Sequence, residues 1–110
     1  MVKKMRKWYS ASILYRGIKS ISIYPDIWEE SICLFEAENG DEVRIKAEKK
    51  GKSEEVKYQS IPDNTVNWIY DGILSIYELS EDTMGDGAEV FSRFLSEEEV
   101  RNLRTPFKDE

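Results

Sequence analysis

Residues 66–80, VNWIYDGILSIYELS, constrain this chain more than any other stretch. They hold three aromatics (Trp68, Tyr70, Tyr77) and, among their aliphatics, Ile69, Ile73, Leu74 and Ile76, without a proline. Aromatic and β-branched side chains at that density suit a pleated, largely buried surface, so the run is read as a strand. Alternation puts Val66, Trp68 and Tyr70 on one face. The pair Asp71-Gly72 predicts a β-bulge, after which Ile73, Tyr77 and Leu79 continue on that face. Burying three or four such side chains contributes roughly 1.5 to 3 kcal/mol each, against ~1 to 2 kcal/mol of backbone ordering per residue. The expectation is an interior strand covered on both broad sides.

Around it the chain divides into short periodic segments. In residues 8–15, Tyr9, Ala11, Ile13 and Tyr15 alternate with Ser10 and Ser12, a first strand. Gly17 permits a bend, and Ile18, Ile21 and Ile23 either prolong that strand or form a separate short one before the turn signal Tyr24-Pro25-Asp26. Within residues 27–38, Cys33, Phe35 and Ala37 oppose Ile32 and Leu34, a second strand. Two readings compete for the next segment. Asn39-Gly40 between alternating runs signals a hairpin. Alternatively Asn39 caps a helix with Glu42 three residues on, Asp41 and Glu42 lie in its positive first turn, and Glu42/Lys46 and Glu48/Lys52 fall at i,i+4 spacing. The lysine, glutamate and alanine content favours the helix, over residues 41–50 and ending near Gly51. A polar loop follows, KSEEVKYQSIPDN. Beyond residue 80, EDTMGDG reads as a turn and AEVFSRFL, residues 88–95, as a fourth strand. Ser96 and Glu99 form a capping box for a short terminal helix that carries Arg101 and Arg104 at its far end and is stopped by Pro106. With only Val100 and Leu103 apolar, this helix is expected to lie against one sheet edge.

The expected fold is α+β: an antiparallel sheet of about four strands, one helix on a face and a short C-terminal helix, in the order β-β-α-β-β-α. At 110 residues the chain fits a single domain, residues 1–110, with a basic N-terminal tail over 1–7 and a C-terminal tail over 106–110. Charge is unevenly placed. Residues 1–55 hold 11 Lys/Arg and 10 Asp/Glu, a balance of +1; residues 56–110 hold 5 and 12, a balance of −7. Such an acidic half repels phosphate backbones, so no nucleic-acid partner is expected. No stretch reaches the ~20 apolar residues of a membrane span, and the KKMRK opening is not followed by a signal-peptide core. A cytoplasmic protein without a membrane partner is the expectation, consistent with Cys33 as the single cysteine.

The Trp8-Tyr9-Ser10-Ala11 strand, Glu30-Ser31-Ile32 leading to Glu36-Ala37-Glu38, the Trp68 strand with Gly72, and Gly87-Ala88-Glu89-Val90-Phe91-Ser92 together carry a family resemblance. From Trp8 to about Leu95 the chain resembles DUF4288, a family of small bacterial proteins known only as a domain of unknown function. The resemblance implies a fold, a helical segment after the second strand and a bacterial context. It implies no catalytic role, and Asn39-Gly40 departs from the pattern.

The sequence has no histidine, the usual general base near neutral pH and the commonest zinc ligand. It also lacks a nucleophile-elbow serine and a glycine-rich phosphate loop. Cys33 reads as a small core residue. Asp82, Asp86 and Glu89 could offer hard oxygen ligands to calcium or magnesium, although turn chemistry alone selects such residues. Glu89 with Ser92 and Arg93 on the last strand, beside Trp8 and Trp68 on its neighbours, is the candidate binding patch; core tryptophans and a solvated Glu89 are the plain alternative. The functional expectation is a small acidic, non-catalytic protein-binding module, regulatory or immunity-like, that forms a homodimer and meets a basic protein partner, with no cofactor. The alternative is a small-molecule- or metal-binding enzyme using Asp86 and Glu89.

Overall fold

The computed structural model describes residues 6–21, 23–55, 66–80 and 84–104. Their elements are β1 (Lys7–Lys19), β2 (Ile27–Ala37), α1 (Gly40–Ser53), β3 (Val66–Glu78) and α2 (Glu97–Arg104). All three strands pair antiparallel in one sheet of order β2-β1-β3. The α+β class and the antiparallel sheet are as expected. The strand count and element order are corrected, from four strands to three and from β-β-α-β-β-α to β-β-α-β-α. Residues 88–96 form no regular element and join no ladder among the described residues. They cross over side chains of the sheet, with the Ser10 hydroxyl bonded to the Val90 carbonyl, and do not run beside an edge.

The interior strand is β1, not the aromatic run. Five consecutive residues, Tyr9, Ser10, Ala11, Ser12 and Ile13, are buried, whereas β3 lies at an edge and most of its side chains are half-buried. Small side chains at positions 10 to 12 let β1 be covered closely on both sides, which hydrophobicity alone does not reveal. Gly17 does not break the strand, which continues through Ile18 to Lys19. Lys7, the last residue of the expected 1–7 tail, already begins β1, and residues 1–5 lie outside the described residues.

Along β3 the register slips twice. Leu14 pairs with Gly72 but Tyr15 with Tyr70, leaving Asp71 as the expected bulge. A second slip skips Leu74, between Ser12↔Ser75 and Ile13↔Ile73. Ile73 therefore joins the face of Val66, Trp68 and Tyr70, while the second bulge sends Tyr77 to the opposite face.

The helical reading of the segment after β2 holds, and the Asn39-Gly40 pair starts a helix, not a hairpin. Asn39 Oδ1 accepts the Glu42 amide at 2.9 Å, and Glu42 Oε1 accepts the Glu38 amide at 2.8 Å. The two i,i+4 pairs form, Lys46 to Glu42 at 3.4 Å and Lys52 to Glu48 at 3.3 Å. Val43 and Ala47 are fully buried against Tyr9, Ala11, Ile13, Tyr15 and Ala37, and this is the core. The helix passes Gly51 and ends at Ser53 because that glycine is a contact residue lying against Tyr70.

The Glu38 amide, aided by Arg6 and Lys46, holds the Glu42 carboxyl below its ordinary value of 4.5. A depressed carboxyl contributes stability above its unfolded pKa and loses it as pH falls through the folded one. The Glu42→Gln variant should therefore show a shallower loss of stability than the parent in urea titrations below about pH 4.5.

At the C-terminus the capping box forms, with the Ser96 amide to Glu99 Oε1 at 2.8 Å and the Glu99 amide to Ser96 Oγ at 3.2 Å. The helix behind it does not lie against a sheet edge as expected: α2 buries no residue. Two apolar residues in eight provide too little surface to hold it down. No described helix is long and apolar enough to cross a membrane.

Candidate functional site

The two faces of the sheet differ in what covers them. A 14-residue helix is about 21 Å long, whereas the 13-residue strands reach about 43 Å. On its own face α1 therefore covers roughly half the sheet. On the opposite face, β2 presents Trp28, Ile32 and Leu34 in a row, 52%, 46% and 48% exposed. Arg16, the β1 partner of Trp28, stacks on its ring at 5.5 Å and is fixed from behind by Asp26 through two nitrogens, each at 2.7 Å. The Ser12 hydroxyl bonds to Glu30 between these apolar positions. Trp8, 38% exposed, closes the row at its far end, beside Glu36.

Where α1 stops short, a cavity of about 510 Å³ opens on its face of the sheet. Its lining comes from four elements: Tyr15 of β1, Ile27, Glu29, Ser31 and Cys33 of β2, Lys50 and Glu54 at the end of α1, and Trp68 of β3. The Trp68 ring packs over Gly17, its register partner, where an added Cβ would meet Cη2 and Cζ3 at 2.9 Å. Such packing of an aromatic over a cross-strand glycine fixes the ring as one wall. Lys50 pairs with Glu54 at 3.5 Å, and Ser31 Oγ lies 3.8 Å from Cys33 Sγ. Burial raises the Tyr15 hydroxyl above its usual pKa, and Cys33, Glu54 and Glu29 push it further in that direction.

Among known families, one matches residues 8–92 of this chain and is described as a domain of unknown function, DUF4288. The chain belongs to DUF4288. No curated protein and no solved structure gives a match. The matched span takes in the sheet except Lys7, α1 and the crossing segment up to Ser92, and leaves α2 outside.

Within this DUF4288 domain the sequence-predicted site residues fall into separate places. Glu89 and Ser92 do meet, on Tyr77: the Tyr77 hydroxyl donates to Glu89, and Ser92 bonds to both. The bond to Glu89 raises the Tyr77 hydroxyl above its ordinary pKa against the opposing effect of Ser92, while the bonds from Tyr77 and Ser92 both lower the Glu89 carboxyl below its own. Phe91 packs edge-on to Tyr77 at 6.4 Å, and Arg93 stacks over Phe91 at 6.0 Å. Trp8 and Trp68 do not come together there. They lie on opposite faces and near opposite ends of β1, at positions paired with Glu36 and Gly17.

Asp86 is exposed, and Asp82 lies outside the described residues. No three acidic or cysteine side chains gather at metal-ligand distance among the described residues. The crossing segment directs Glu89 onto a tyrosine hydroxyl, which occupies the carboxylate the enzyme reading would employ. The Arg16–Trp28 pair and the cavity went unread in the sequence. Their members are scattered over residues 15–68 in no motif spacing, and the one local cue, Gly17 opposite an aromatic strand, becomes informative only once the register is known.

Proposed function

We propose that this DUF4288 domain is a non-catalytic protein-binding module that works through the exposed β2 side of the sheet face opposite α1, engaged first by a second copy of itself. The observation that carries the reading is the Trp28, Ile32, Leu34 row on an edge strand. Soluble monomers seldom expose such contiguous apolar surface, and Trp and Arg side chains dominate interface energetics. The row is also self-complementary. A two-fold axis through its aliphatic centre sets Trp8 of one protomer against Trp28 of its partner and Leu34 against Ile32, the isologous arrangement of most homodimers. The other edge offers less: the Tyr70 amide on β3 already donates to Glu55 Oε2 at 3.0 Å.

A basic protein is the heterologous partner this reading includes, drawn by the −7 balance of residues 56–110. The setting is a bacterial cytoplasm, where the lone free thiol of Cys33 stays reduced. Light scattering on a sizing column at micromolar concentration should give the mass of a dimer. The Trp28→Asp/Ile32→Asp variant should weaken it by roughly 100-fold or more, because two carboxylates would be desolvated per protomer. A parent chain of monomer mass at that concentration overturns self-association.

A further inference from the structure

We propose that the cavity beyond the end of α1 binds an organic monocation, a protonated amine on an apolar body. The site is independent of the β2 surface used for protein contact, since its strand residues point to the helix side of the sheet.

Its size falls in the range of small-molecule pockets, about 300 to 1,000 Å³. Three charged side chains line it, and two of them, Lys50 and Glu54, neutralise one another. Glu29 has no ion pair among the described residues, so the described lining carries a net charge of −1. Tyr15, its register partner on β1, stands beside it, and Trp68 of β3, packed over Gly17, lines the same cavity. A carboxylate facing aromatic walls is the arrangement that holds an ammonium group: the ring faces attract the cation and the carboxylate pairs with it. Ile27 and the Trp68 ring then accept the apolar body, and Ser31 and the Tyr15 hydroxyl offer hydrogen-bonding groups. An anion would face Glu29 and the ring faces with only a lysine already engaged by Glu54. A neutral ligand would leave Glu29 unpaired.

The ammonium could come from a free amine or from a lysine side chain, and the two are separated by the probes. Titration calorimetry is run with phenethylammonium, with N-acetyl-lysine methylamide, and with the neutral and anionic analogues 2-phenylethanol and 3-phenylpropanoate. One-to-one saturable binding of at least one cation, roughly tenfold or more tighter than either analogue, is the expected result. Tighter binding of phenethylammonium assigns the site to free amines, and tighter binding of the lysine derivative assigns it to a protein side chain. Glu29→Gln, at an exposed position on the edge strand β2, should weaken that binding by roughly tenfold and leave the melting temperature unchanged. Absence of saturation by both cations, equal binding of the alcohol, or an unaltered affinity in Glu29→Gln each overturns the proposal. The dimer mass does not enter this test, so the two readings fail separately.

Discussion

Replacing Ile13 by alanine is expected to remove about 2 to 5 kcal/mol of folding stability, the loss usual for a large aliphatic side chain deleted from a packed core. Ile13 is fully buried in the central strand, in the cluster that joins the sheet to Val43 and Ala47 of α1. Its surroundings cannot collapse easily onto the space. The adjoining register slips, at Leu74 and Asp71, fix where Ile73 and Tyr70 stand, so moving either would shift a bulge. Urea unfolding at fixed protein concentration measures the effect: the midpoint should fall with the slope unchanged. Ile45→Ala is the comparison, on the solvent side of α1 at 66% exposure, where the change should stay within about 0.5 kcal/mol. Equal losses at the two positions would mean that the sheet and α1 do not share the core described above.

What the sequence discloses of this fold is what depends on neighbours within a few residues. The α1 cap at Asn39 and Glu42, the α2 box at Ser96 and Glu99, and the bulge at Asp71-Gly72 are local chemistry, and each forms as read. Strand order is different in kind. Trp68 and Tyr70 advertise burial more loudly than Ser10 and Ser12, yet the serines are the more deeply covered because β1 has a neighbour on each side and β3 has one. The same non-locality misleads at residues 88–95. Their alternation suits a strand, but the pattern cannot say whether a free edge is within reach, and the Ser10 and Tyr77 side chains engage the segment from below. It was the expected edge pairing that would have brought Trp8, Trp68 and Glu89 together. With the segment crossing a face, Glu89 and Ser92 serve Tyr77 instead. The cavity is the extreme case, existing only because one element is shorter than those it packs on.

Gly51→Ala should destabilise the domain even though alanine is the better helix former by about 1 kcal/mol. Gly51 is buried near the end of α1, and a Cβ built there would lie 2.4 Å from Tyr70 Cδ1 and 2.8 Å from Cε1. Neither side yields readily. The Tyr70 backbone is held by Glu55 and by the Asp71 bulge beside it, and its ring packs against the core cluster. Relief requires moving the last turn of α1 or displacing the ring, an overpacking cost of about 1 to 3 kcal/mol that outweighs the propensity gain. Gly40→Ala is the opposite case, at the first position of the same helix with open space around it, and should be neutral or stabilising by up to about 1 kcal/mol. Thermal melts of the two variants should therefore move in opposite directions, or Gly51→Ala alone should move, downward by several degrees. In a Tyr70→Ala background the clash has no partner, so adding Gly51→Ala there should cost nothing or stabilise. If the penalty persists without the tyrosine ring, the close approach of α1 to β3 is not its cause. The placement of Lys50 and Glu54 at the cavity would then lose its anchor, because it is the missing side chain at position 51 that lets the end of the helix come down onto the sheet.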